Sequence, residues 1–152
     1  MYSVVLTIHS WMRWLTLILA AAATLNASRP AMESVKTLPG RWWDTFLMLA
    51  VDLQVFFGLV LYFGLSPFTK EAMANVSLAM ANPALRFWAV EHAGGMFVAV
   101  VFVRMGRVLA ANATTPAAAR KRRLTCFAIA LLGMLMSIPW PGLTNGRPLF
   151  RL

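Results

Sequence analysis

Ionisable side chains at His9, Arg13, Asp52, Glu91 and His92 interrupt otherwise apolar stretches of this sequence. Inside a bilayer such groups are costly and tend to face a partner, a cofactor or water. His9 lies about six or seven residues from one end of the first apolar stretch, and His92 about five or six from the matching end of the third. At about 1.5 Å per residue the two imidazoles are level to within roughly one helical turn. Two histidines at one depth on parallel helices is the arrangement a bis-His b-type haem requires. The same residues allow a plainer reading, in which each imidazole hydrogen-bonds a neighbouring helix or a headgroup. A chlorophyll-type magnesium held by one histidine is a third reading. Zinc would lack a complete ligand set.

Arg13 follows His9 by four residues and shares its helix face. Counting depth, Asp52 sits about three residues deeper than Arg13 and Glu91 about five shallower. The expectation is a buried polar network of Arg13, Asp52 and Glu91, with Arg13–Asp52 as its central pair. Such a network fixes helix register; proton transfer along it is the chemical alternative.

The elements that must position these groups follow from composition. Of 152 residues, 60% are hydrophobic and 12% charged, with a mean hydropathy of +0.68. Ordinary soluble domains are about 45–50% apolar and about 25% charged, so a cytosolic enzyme is close to excluded. Four stretches approach the roughly 20 apolar residues a spanning helix needs, at about 2–25, 43–63, 87–109 and 124–140. The fourth is the shortest and is stopped by Pro139 and Pro141. Residues 1–152 thus read as a single domain, an all-α integral membrane protein with an up-down bundle of four transmembrane helices. Continuous apolar runs without period-two alternation disfavour a porin-like barrel. The first stretch lacks a basic leader and reads as a retained helix. Between the second and third spans, residues 69–80 are expected to form a short interfacial helix. Gly94, Gly95 and Ala99 give a small-residue spacing that permits close helix approach. Cys126 excludes an intrachain disulfide and reads as a small core residue.

The net charge of +9 reads as membrane topology and not as nucleic-acid binding. The first and third loops and their flanks hold Arg29, Lys36, Arg41, Arg104, Arg107, Arg120, Lys121, Arg122 and Arg123. The other side holds Lys70, Arg86, Arg147 and Arg151. By the positive-inside rule both termini face away from the cytoplasm, on the periplasmic side of an inner membrane. The basic run 120–123 is a topology signal, with anionic headgroup binding as its functional alternative.

Several motifs occur in order along the chain: His9-Ser10-Trp11-Met12-Arg13-Trp14, then Leu53-Gln54 leading to Gly58-Leu59-Val60-Leu61-Tyr62-Phe63, and Arg86-Phe87-Trp88-Ala89-Val90-Glu91-His92. Ile138-Pro139-Trp140-Pro141 and Arg147-Pro148-Leu149-Phe150 complete the set. With these the chain resembles a family of small four-helix bacterial membrane proteins commonly labelled "cytochrome B". The resemblance implies the four-helix fold and, from the label, a haem. The family pattern carries further histidines where this chain has Trp11 and Asp52, which leaves His9 and His92 as the ligands a cytochrome would use.

Three functions follow as expectations. The favoured one is a non-catalytic accessory subunit of a larger bioenergetic membrane complex, respiratory or photosynthetic, with lipids and other subunits as partners and no cofactor of its own. The alternative is a b-type cytochrome with one His9/His92 haem. A small proton-coupled transporter using Arg13, Asp52 and Glu91 is the third, for which four short helices leave little room.

Overall fold

The computed structural model describes residues 1–29 and 39–150; Lys36 and Arg151, two of the charges counted for topology, lie outside them. The described residues are mostly helical, with no strand among them. Helix α1 is Tyr2–Ser28 and α2 is Pro39–Leu59, which runs on into a π-helical turn, Val60–Leu65. Three short helices follow: α3 (Pro67–Ala74), α4 (Val76–Ala81) and α5 (Pro83–Arg86). A second π-helical turn, Phe87–Glu91, leads into α6 (His92–Ala111), and α7 is Pro116–Ser137. Tyr2–Ser28, Trp42–Leu65 and Pro83–Ala111 are long and apolar enough to cross a membrane.

Two local expectations are corrected. The single helix over 69–80 is broken, because Asn75 and Asn82 leave helical geometry to act as N-caps. Asn75 Oδ1 accepts from Leu78 N at 2.9 Å, and Asn82 Oδ1 accepts from Ala84 N at 2.9 Å. The fourth apolar stretch is also differently bounded. Its helix starts at Pro116, because Thr115 caps it by accepting from Ala118 N and proline suits the first helical position. It ends at Ser137, just ahead of Ile138-Pro139. Its apolar part, 124–137, is therefore only roughly 21 Å long, short of the about 30 Å hydrocarbon core.

The basic run rides on the first turns of α7 instead of lying in a loop. Arg120 donates to Ser28 O at 3.2 Å, and Arg122 to Leu109 O at 2.8 Å and Asn112 O at 3.3 Å. These are carbonyls at the ends of α1 and α6, which have no partner within their own helices. The run thus ties three helix ends together.

The four long helices pack unequally. Helix α6 lies closest against α7, α1 packs against both α2 and α7, and α2 barely meets α6. Alanines at 20, 23, 99 and 130 bring the backbones together, and Leu47, Val103, Phe127 and Ile138 fill the core between them. The expected small-residue spacing works through Gly95 and Ala99, both turned to α7. A Cβ at Gly95 would overlap Ser137 Oγ, and one at Gly106 would come within 2.8 Å of Phe127 Cε1 and 2.9 Å of Cys126 Cβ. Cys126 is buried in this contact.

Candidate functional site: the histidine pair beneath the C-terminal strap

The two π-helical turns face each other, and Tyr62 OH donates to Ala89 O at 2.7 Å to join them. Such turns leave the regular ladder and are frequent where a helix is adapted to a task. Here they flank the two histidines. His92 follows the second turn directly. His9 comes from α1, whose contact with α2 runs along Leu47, Ala50, Val51 and Gln54, a helical face by spacing.

The His9 and His92 rings are brought together, with centroids 6.4 Å apart and planes at 73°. His92 Nδ1 lies 2.7 Å from Ser137 O. A carbonyl only accepts, so Nδ1 carries the proton and Nε2 keeps its lone pair. Gln54 Nε2 stands 3.2 Å from both His9 Nε2 and His9 O. Donating to both, it makes Nε2 the acceptor of His9 and puts the proton on Nδ1. His9 Nδ1 and Gln54 Oε1 are buried without a hydrogen-bond partner. Trp88 and Phe87 wall His92, at centroid distances of 5.6 Å and 6.0 Å.

A strap closes this end of the bundle. Gly142, with φ of 90°, turns the chain after α7. Arg147 N then donates to Pro139 O at 3.0 Å. The Arg147 guanidinium caps the Phe68–Trp88 ring pair, 5.2 Å and 5.3 Å from their centroids, a cation–π contact with both. Arg13 Nη2 and Trp14 Nε1 both donate to Leu149 O, at 2.7 Å and 3.0 Å. Phe150 stacks on Trp14 at 5.5 Å and leans on Trp11 at 5.6 Å. The tail to residue 150 docks on its own chain.

The expected Arg13–Asp52–Glu91 network does not form. Arg13 is spent on the strap and on the Trp14 face. Asp52 pairs with Arg104 on α6, and Glu91 Oε1 accepts from Arg86 Nε at 2.7 Å. Asp52 lies level with Arg13 and not three residues deeper, since Gln54 stands beside His9 and Ala50 beside Thr16, and it is rotation that keeps the two apart. Val51 and Gln54 turn toward α1, so Asp52, one residue past Val51, points about 100° away toward α6. Glu91 meets Arg86 because a turn closed by i→i+5 bonds brings residues five apart to one side. Gln54, Ser137 and the Asp44–Arg123 pair belong to the polar interior and Arg104 to the α2/α6 seam; none of them was assigned these partners from sequence. Gln54 was the readable one, a polar side chain in phase with an apolar helix face.

The ring separation matches the about 6 Å that two imidazoles on one metal need, given metal–nitrogen bonds of about 2.0–2.1 Å. The macrocycle is what this packing does not fit. His9 Nε2 is occupied by Gln54, a Cβ at Gly58 would already stand 3.3 Å from His9 Cε1, and Trp88, Phe87 and the strap fill the flanks. Two hollows lie elsewhere, on the outer face of α6 and between α1 and α2. Nor does any group of three or more His, Cys, Asp or Glu among the described residues converge to hold a metal ion. Searches for similar proteins matched no family, no curated protein and no solved structure.

Proposed function

We propose that the chain is a four-span protein of the bacterial inner membrane, with both termini periplasmic, that serves as a non-catalytic accessory subunit of a larger bioenergetic assembly. It acts by helix and lipid contacts. The observation that carries this reading is the Asp52–Arg104 pair. Asp52 lies near the middle of its span, yet both side chains are 49% exposed in the isolated chain. Two half-exposed charges at that depth are unfavourable against lipid tails, and a protein surface laid over them removes the mismatch. Inside the bundle, by contrast, His9, His92 and Arg13 are bonded to Gln54, Ser137 and Leu149. Those polar groups act as ties between helices.

The fourth span is α7. Its apolar part is short, but Lys121, exposed on its first turns, is a long side chain able to reach from a sunken helix end to the headgroups. Its packing on both α6 and α1 supports the same depth for it.

The test is purification in mild detergent from haem-replete cells. The chain is expected to migrate with fixed-stoichiometry membrane subunits, well above its own 16.8 kDa, and to be colourless. A haem absorption band that His92→Ala removes would overturn the reading in favour of the b-type cytochrome.

A further inference from the structure

Three seams of the bundle are closed by packing and the α2/α6 seam is open. Along it α6 turns outward Phe97, Val101, Arg104 and Val108, all exposed, with Phe97 at 70%. Their spacing of four, three and four residues is that of a left-handed helix pair, in which a polar residue on the seam specifies register. They border a shallow apolar hollow on this face. Beside Arg104, α2 supplies Asp52, flanked by exposed Leu53 and Phe56.

We propose that a second copy of this chain covers the seam, α6 against α6, about a two-fold axis along the membrane normal. Copies in one membrane share an orientation, so this is the axis that makes the patch meet itself. Asp52 and Arg104 are level because they bond each other. The axis therefore sets each Arg104 beside the Asp52 of the other copy, and four alternating charges close a ring. A foreign helix would have to bring its own acid and base to that depth; a second copy brings them by symmetry. The proposal rests on the reading of this seam as a contact surface.

The test uses the full chain in liposomes, with Cys126→Ser as background and one new cysteine at a time. Under mild oxidation Val101→Cys and Val108→Cys are expected to give disulfide-linked dimers at about tenfold the yield of Ile18→Cys, an exposed position on α1; tenfold corresponds to about 1.4 kcal/mol. Equal yields overturn the proposal. Arg104→Asp should lower the cross-linked fraction of Val101→Cys about tenfold. Adding Asp52→Arg, which restores the pair within and between copies, should recover it. A dimer indifferent to both changes overturns the charge ring. Co-migration with other subunits but no α6–α6 cross-link would overturn this proposal and leave the accessory reading standing. A cross-linked dimer that never joins other subunits would do the reverse.

Discussion

Helix α2 carries two acid–arginine pairs about two turns apart, and they live in different surroundings. Asp44–Arg123, at 2.5 Å, is enclosed, with side chains only 9% and 17% exposed. Asn26 lies 3.5 Å from the same guanidinium, and three helices meet there. Asp52–Arg104 joins α2 to α6 across the loose seam, and both side chains are half-exposed. The chemistry is the same, but the first pair holds the bundle together and the second waits for something to cover it. Charge inside an apolar span is therefore no single signal; helix rotation decides whether it serves the interior or an interface.

That contrast can be broken at graded cost. Asp44→Leu should be the most damaging change, since it strands a buried arginine, and such losses run about 3–5 kcal/mol. Reversible unfolding in detergent would show it, and a loss below about 1 kcal/mol would place Asp44 outside the closed seam. Gly106→Val comes next. Its side chain must displace Phe127 and Cys126, and overpacking costs about 1–3 kcal/mol. Ending the chain after Asn145 should have a smaller effect. It removes the acceptor of Arg13 and Trp14 and unstacks Phe150, so tryptophan emission should shift to the red as Trp14 becomes wetter. Unchanged emission would mean the strap is not seated in solution. Arg104→Leu closes the series. Its partner Asp52 is left half-exposed and not enclosed, so monomer unfolding should move less than for Asp44→Leu, and an equal loss would erase the distinction between the seams.

Much of this was legible in the sequence. Apolar runs marked four spans, of which three form helices long and apolar enough to cross a membrane, and residue counting set His9 level with His92, which the 6.4 Å ring distance bears out. Depth can be counted along a chain; azimuth cannot, which is why Asp52 was paired with Arg13 and not Arg104. The partner of Arg13 was hidden for another reason. It is a backbone carbonyl in a tail with no periodicity to reveal where it docks. The start of α7 was in plain sight, because Thr115-Pro116 is a capping signature, but the basic run behind it read more easily as a loop.

The central claim is that the two histidines tie helices together, His9 through Gln54 and His92 through Ser137, and hold no haem between them. It is tested most directly by a reduced-minus-oxidised absorption spectrum of the purified chain from haem-replete cells, taken beside His92→Ala. The expected result is a flat spectrum for both proteins, with the variant melting at lower temperature because Ser137 O loses its donor. A haem difference band in the native chain that vanishes in the variant would contradict it.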